Sequence, residues 1–411
     1  MTLRDDVRDY FERESRRLPA PAGLRADATA RAIAAPATKP SIRWAAALAA
    51  LLAIAIIAAL VAGAQLRKVL NAPVTPAGHI RVTSSQIEQV VDFDLADRNH
   101  GWVLIAVCDE ALNNLGSCQF WVETTRDGGR SWVDPAKVGP LYEGFSADTP
   151  RHIHFTNAND GFVYGLGVAF VTHDGGRTWT GIPGETSELV AITGFATVWA
   201  VLEPCVTGAQ CPFAVRTSSD GGRTWSDAAP LPAGFQPGQA IAFGPSGLIL
   251  AGQGAGDMVL TNDDGHTWRV IPGRCSAGDV GDYIATPDGR ELWQLCMVTS
   301  TPLAMKLFTS EDAGQTWVEN SALPGQGQFP AVGVQTILLV STQPGHALFS
   351  IGQLPIERTT DGGRTWTPVT STAYFGRFVF GASGDGWAEH GAIYATHDDG
   401  MTWTKLQSQP V

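Results

Sequence analysis

Residues 359–366 read TTDGGRTW, and this phrase decides the fold because close variants of it recur along the chain. Its general form is Ser/Thr-x-Asp-x-Gly-x-Ser/Thr-Trp, and seven copies are present. The aspartates of the copies are Asp127, Asp174, Asp220, Asp263, Asp312, Asp361 and Asp398, and their tryptophans are Trp132, Trp179, Trp225, Trp268, Trp317, Trp366 and Trp403. Successive tryptophans are 37 to 49 residues apart. A period of about 40–50 residues with short strands predicts a β-propeller with one repeat in each blade.

The phrase resembles the Asp-box of BNR-repeat propellers in the sialidase-like superfamily, and the resemblance covers residues 81–411. It implies an all-β, seven-bladed β-propeller with an Asp-box hairpin between the third and fourth strands of each blade. In such a turn the aspartate accepts backbone N–H bonds, and the tryptophan packs between neighbouring blades. The fifth position is glycine in every copy, whereas the fourth is glycine, aspartate or alanine. We therefore expect only the fifth position to need a positive φ.

Alternating apolar residues, bounded by clusters of Gly, Asn and Asp, predict four strands in each repeat. In blade two the predicted strands are 152–156, 162–166, 169–172 and 177–181. The other blades are predicted at about 88–138, 188–229, 238–272, 281–320, 329–369 and 377–406. Two ways of closing the ring are open. Either residues 79–83 add an outer strand beside Trp403, or blade seven packs directly against blade one.

The N-terminal part of the chain predicts a membrane anchor. Residues 44–66 form an uncharged, mostly apolar stretch, which is long enough for one transmembrane helix. Residues 1–43 are then a cytoplasmic tail, because positive charge is heavier on that side, and residues 67–80 are a linker. A cleaved signal peptide is the alternative. The predicted location is a single-pass position in the cell membrane with the propeller outside the cytoplasm, as in bacterial membrane regulators.

All six cysteines follow the apolar stretch and fall as close neighbours in the sequence. They are Cys108 with Cys118, Cys205 with Cys211, and Cys275 with Cys296. An even number of cysteines in an exported domain predicts disulfides, here three local ones. A zinc site is less favoured, because the spacings are not those of zinc ligands.

The charge of the propeller limits its partners. Residues 1–43 carry a net charge of +3, and Arg67 with Lys68 adds +2. Because the whole chain carries −12, the remaining residues together carry −17. Such an acidic domain repels the phosphates of nucleic acid. We expect basic partners instead, and binding that weakens with salt.

No motif identifies a catalytic residue, a cofactor site or a metal site. The Arg-Ile-Pro motif of sialidases is absent before the first box, where the nearest string is at residues 79–82. Asp92 and Asp94 share one face of a strand and are interpreted as a solvated blade edge. His152 and His154 also share a face, which predicts a polar lining of the central channel.

The chain is most similar in kind to seven-bladed propellers of the photosystem II assembly-factor type and to sortilin-like propellers. Because those relatives bind proteins or peptides, the resemblance implies a non-catalytic recognition or assembly module, anchored in a membrane. One alternative is a glycoside hydrolase or a carbohydrate-binding protein. Another is a transmembrane sensor that signals through residues 1–43. The expected binding surface is the mouth of the channel, where the loops of all blades converge.

Overall fold

The computed structural model of the chain describes most of the residues from 85 to 406. The described ranges are 85–111, 114–144, 149–165, 167–182, 188–203, 212–253, 256–276, 282–286, 288–298, 304–320, 323, 337–351, 355–369, 375–381 and 384–406. The predicted tail, transmembrane helix and linker lie outside them. No helix within the described ranges is long and apolar enough to cross a membrane.

The described residues form seven antiparallel sheets of four strands, each paired in chain order, so the predicted seven-bladed propeller is confirmed. Blades one to three contain β1 (Gln86–Leu95), β2 (Gly101–Ala111), β3 (Asn114–Thr125), β4 (Val133–Glu143); β5 (His152–Phe155), β6 (Gly161–Gly165), β7 (Val168–Thr172), β8 (Thr180–Gly181); and β9 (Glu188–Thr193), β10 (Val198–Glu203), β11 (Ala214–Ser218), β12 (Ala229–Pro230). Blades four and five contain β13 (Pro237–Phe243), β14 (Gly247–Gly252), β15 (Met258–Thr261), β16 (Arg269–Ile271); and β17 (Asp282–Ala285), β18 (Leu292–Val298), β19 (Ala304–Ser310), β20 (Val318–Asn320). Blades six and seven contain β21 (Ile337–Gln343), β22 (His346–Ile351), β23 (Glu357–Thr359), β24 (Thr367–Pro368); and β25 (Arg377–Phe380), β26 (Gly386–Glu389), β27 (Ile393–Thr396), β28 (Thr404–Lys405).

The first strand of each blade contacts the first strand of a neighbouring blade, so these strands line the central channel. The core lies between the blades, in apolar clusters that each combine residues of two neighbours. Blade seven packs directly on blade one, where the rings of Trp387 and Trp132 are 5.8 Å apart. Leu406 and Ile393 of blade seven join the same cluster. The alternative closing strand, at residues 79–83, lies outside the described residues.

The fourth strand of blade two is shorter than predicted, because the box uses part of it. Only Thr180–Gly181 pairs as a strand, whereas the prediction was 177–181. The backbone N–H groups of Arg177 and Thr178 donate instead to Oδ1 of Asp174, each at 3.0 Å. The box turn therefore continues to Thr178 before the strand begins.

Each box is held by a local hydrogen-bond network, shown here for the sixth copy. Oδ1 of Asp361 accepts from the hydroxyl of Thr359 and from the N–H of Thr365, both at 2.9 Å. Oδ2 accepts from the hydroxyl of Thr365 at 2.6 Å. The Thr359 hydroxyl accepts in turn from the N–H of Gly363. The Thr365 hydroxyl is the largest cause that lowers the pKa of Asp361 to about 2, so this carboxylate stays ionised.

The prediction that only the fifth box position has a positive φ is wrong. The fourth position also has a positive φ, which is 58 for Asp264 and Ala313 and 59 for Asp399. These values fall in the small left-handed region, which aspartate enters at modest cost. Glycine is needed at the fifth position for a second reason, close approach. A Cβ at Gly222 would lie 2.4 Å from the ring of Phe162 in the preceding blade.

The box tryptophans lie at these same joints between blades. Trp225 of blade three packs edge-on against Phe162 of blade two, with ring centroids 6.0 Å apart. The indole N–H of Trp366 donates to the carbonyl of Gly363 in its own turn, at 3.2 Å. The box therefore fixes a hairpin and places one aromatic ring at an interblade joint.

Two of the three predicted disulfides are present. Cys108–Cys118 joins directly opposed residues of β2 and β3, and Cys275–Cys296 ties the connection after β16 to β18. Cys205 and Cys211 lie outside the described residues. The first disulfide lies in the largest blade, whose strands have 10 to 12 residues.

Candidate functional site

The two faces of the disc differ in their connections. The boxes and the turns between first and second strands share one face, because the N–H of Gly128 bonds to Asn99 and that of Gly362 to Gly345. We call it the box face. The opposite face, called the loop face, carries the connections between second and third strands and those between blades. Long, varied loops are where propellers carry function, whereas the box face is repetitive.

Two carboxylates join the innermost strands of blades one and two. Oδ2 of Asp92 accepts the N–H of Ile153 at 3.0 Å, and Oδ2 of Asp94 accepts the N–H of Phe155 at 2.6 Å. An innermost strand is an edge strand, so these N–H groups have no strand partner on the channel side. The carboxylates supply the missing acceptors.

The interpretation of Asp92 and Asp94 as a solvated blade edge is therefore wrong. Their exposed fractions are 1% and 6%. The alternation of β1 placed both side chains on one face, as the sequence indicated. The curvature of the ring then brings that face against β5 of the next blade, which removes water from the carboxylates and replaces it with backbone donors.

Two basic side chains flank Asp92 on the channel wall. Arg377, at the start of β25 in blade seven, forms an ion pair with Oδ1 of Asp92 and lies over the ring of Phe93. Nδ1 of His152 lies 3.6 Å from Oδ2 of the same carboxylate. The side chains of Arg377 and His152 are 40% and 50% exposed, whereas that of Asp92 is fully enclosed. The buried carboxylate thus holds Arg377 in place, and His152 lies beside it, and both basic side chains remain accessible from the channel.

His154 connects blade one, blade two and blade three. Its Nδ1 lies 3.1 Å from Oδ2 of Asp94, and its Nε2 lies 2.7 Å from the carbonyl oxygen of Gly194. A carbonyl oxygen and a carboxylate both accept, so both ring nitrogens must carry a proton and the ring is an imidazolium. Burial alone lowers the pKa of His154, but the hydrogen bond and charge of Asp94 outweigh it and raise the pKa. His154 therefore holds three blades together, while His152 lines the channel.

Replacing His154 with glutamine is expected to destabilise the protein more at pH 6 than at pH 9. A raised folded pKa gives stability that is complete below the unfolded value of 6.5 and is lost as the pH rises through the folded value. We expect a loss of about 2 kcal/mol at pH 6, typical of hydrogen bonds to charged groups, and less at pH 9. Urea unfolding at both pH values measures it. His173→Gln, at the exposed pair with Asp160 on the box face, is the control. An equal loss at both pH values would contradict an imidazolium.

The described residues offer no constellation for catalysis at this wall. They contain no group of three His, Cys, Asp or Glu residues that could hold a metal ion. Burial raises the pKa of Tyr164 to about 12, so its hydroxyl stays protonated and donates to the carbonyl of Ile192. The carboxyl with the strongest upward shift, Glu123, is enclosed between blades and has an exposed fraction of 1%. The accessible polar groups of this wall include Arg377 and His152.

The sequence indicated four of the residues on this wall, Asp92, Asp94, His152 and His154, but not Arg377. Asp92, His152 and His154 stand on predicted first strands, whereas Arg377 is 285 positions from Asp92 in the sequence. Arg377 could have been identified only from the way in which the ring closes. Once blade seven packs on blade one, the first residue of the last blade's inner strand necessarily faces the inner strand of the first blade.

No family model and no curated protein matches the chain. Among solved structures, YCF48 bound to a D1 peptide is similar, with a TM-score of 0.50, 18% identity, and coverage of 76% of this chain and 95% of that one. YCF48 from Cyanidioschyzon merolae has a TM-score of 0.47 at 16% identity, covering 78% and 96%. The GH74 enzyme of Niastella koreensis has 0.31 at 12% identity, covering 77% and 71%. At such low identities the comparison with the first structure shows a shared propeller fold.

Proposed function

We propose that the chain is a membrane-anchored recognition module whose propeller, outside the cytoplasm, binds a protein or peptide segment without catalysing a reaction. The observation that carries the proposal is the channel wall of blades seven, one and two. There Arg377 is accessible yet held by the buried carboxylate of Asp92, and the half-exposed His152 lies beside it. Fixed donors lose little conformational freedom on binding a peptide carbonyl or carboxylate, which is the advantage of preorganisation.

Other features of the chain support the individual parts of this proposal. The apolar residues 44–66 favour a membrane anchor, and disulfides such as Cys108–Cys118 favour an oxidising compartment. A bound D1 peptide in the YCF48 propeller supports peptide binding as a use of this fold. Acidic side chains are exposed at strand ends of the loop face, at Asp109, Glu143 and Asp257. They would attract basic side chains of the same segment.

A peptide-binding assay on the full chain in detergent micelles tests the proposal. An array of peptides from extracytoplasmic segments, rich in basic residues, is screened and hits are quantified by fluorescence anisotropy. We expect binding that weakens as salt is raised from 50 to about 300 mM, because exposed charges are screened. His152→Ala should weaken it several-fold, and His173→Ala on the box face should not.

Two results would contradict a non-catalytic peptide module. One is the absence of any peptide hit whose affinity responds to His152→Ala. The other is release of reducing sugar from a glucan or sialoside, which would favour the glycoside hydrolase alternative.

A further inference from the structure

Glu123 is a buried carboxyl at the joint that closes the ring. It lies on β3 directly opposite Val103 of β2, so the two side chains point to the same side of blade one. Val103 belongs to the apolar cluster that blade one shares with Trp387 and Ile393 of blade seven. Val122, the preceding residue, points the other way, into the cluster shared with blade two. Glu123 therefore faces blade seven.

The carboxyl of Glu123 has no compensating partner in the described part of the chain. Both of its oxygens are enclosed and receive no hydrogen bond. The indole N–H of Trp132 is likewise enclosed in this joint without an acceptor. A neutral carboxylic acid tolerates such surroundings far better than a carboxylate does, because the cost of burying an unpaired charge is much larger.

The charged groups around the joint do not neutralise Glu123. By strand register, Glu88 and Lys137 point to this side from blade one, and Arg377 and Glu389 from blade seven. Arg377 is paired with Asp92, and none of the four forms a described ion pair with Glu123. Burial is the largest cause that raises the pKa of Glu123, and the charge of Glu88 adds to it, giving about 8.

We propose that the joint between blades one and seven is a proton-operated latch, closed while Glu123 is uncharged and loosened when Glu123 loses its proton. The ionised carboxylate draws water into the joint, and the contact between Trp132 and Trp387 is the one it displaces. An acid with a raised folded pKa makes the folded state less stable as the pH rises from its unfolded value, 4.5, through the folded value. The ring therefore opens on the alkaline side, at one joint of the seven.

Hydrogen exchange of the full chain in detergent micelles, at pH 6.5 and pH 9 and corrected for intrinsic rates, tests the latch. We expect at least tenfold faster exchange at pH 9 in β2, β3 and β26, with little change in β14 and β15 of blade four. Glu123→Gln should abolish that difference, and Glu319→Gln, at an exposed position of β20, should preserve it. The pKa of His154 is also raised by Asp94, but this residue joins blades one, two and three, so a response in β26 separates the two effects.

A second variant keeps the test decisive if Glu123→Gln folds poorly. Glu88→Gln removes the neighbouring negative charge, so Glu123 should ionise at lower pH and the faster exchange in β26 should begin at lower pH. The latch is overturned if exchange rises equally in all blades, or if Glu88→Gln leaves the midpoint unchanged.

Discussion

Replacing Asp92 with alanine is expected to lower the free energy of unfolding by about 2 kcal/mol, in the range for a buried donor that loses its acceptor. The carboxylate has two structural tasks. It accepts the N–H of Ile153 across the joint between blades one and two, and it pairs with Arg377 across the joint between blades seven and one. Alanine leaves the buried N–H of Ile153 without an acceptor, and water does not replace it at this enclosed position. The guanidinium of Arg377 also loses its partner, but it is 40% exposed and stays hydrated.

Urea unfolding at pH 7 measures this loss, with Asp109→Ala as the matched control. Asp109 also lies on one of the two innermost strands of blade one and accepts a hydrogen bond, from Gln86, but it is exposed. Its removal should cost less than about 0.5 kcal/mol, as is usual for surface positions. Equal stabilities of the two variants would show that Asp92 does not join the blades. Asp92→Asn should fall between them, because its amide oxygen can still accept from Ile153.

The architecture was predictable because the box is a local motif. Every hydrogen bond of Asp361 in the sixth box comes from a residue within four positions along the chain, so the turn can be recognised from eight letters. Seven turns at blade-length spacing then leave a single arrangement of strands. Neighbouring cysteines were predictable for the same reason, since Cys108 and Cys118 flank one hairpin.

The channel wall was not predictable in the same way, because its bonds join distant parts of the chain. Asp92 and Ile153 are 61 positions apart, and nothing in the alternation of β1 states what lies opposite its polar face. Aspartate side chains are usually exposed to water, so the sequence indicated that Asp92 and Asp94 lie on a solvated blade edge. Only the curvature of the ring brings the unpaired N–H groups of β5 to Asp92 and Asp94.

The backbone conformation at the fourth box position was predicted wrongly for a different reason. Variation among Gly, Asp and Ala at that position indicated an ordinary backbone. The structure places Ala313 at φ 58, which costs a non-glycine residue roughly 1 kcal/mol and is accepted because the rest of the turn is fixed. Variation in residue type at a turn position is therefore no sign of a negative φ when aspartate or alanine can enter the left-handed region.

Replacing Gly101 with alanine is expected to destabilise the ring by about 3 kcal/mol, at the upper end of the range for overpacked cores. Gly101 begins β2, and a Cβ added there would lie 2.0 Å from the ring of Trp387 in blade seven. Trp387 is itself packed against Trp132 and has an exposed fraction of only 3%, so the ring has little room to move. The methyl group must therefore push the last blade away from the first.

Gly181→Ala is the matched control, because it changes a strand glycine whose added Cβ would meet nothing closer than Phe170 at 3.8 Å. It should cost less than about 1 kcal/mol in the same thermal or urea unfolding experiment. A double variant tests the cause directly. Trp387→Leu vacates the space that the methyl group needs, so Gly101→Ala should cost at least about 1 kcal/mol less in that background than alone. Additive losses would show that Gly101 acts through the flexibility of its own strand, and the closure of the ring would then rest on contacts other than this one.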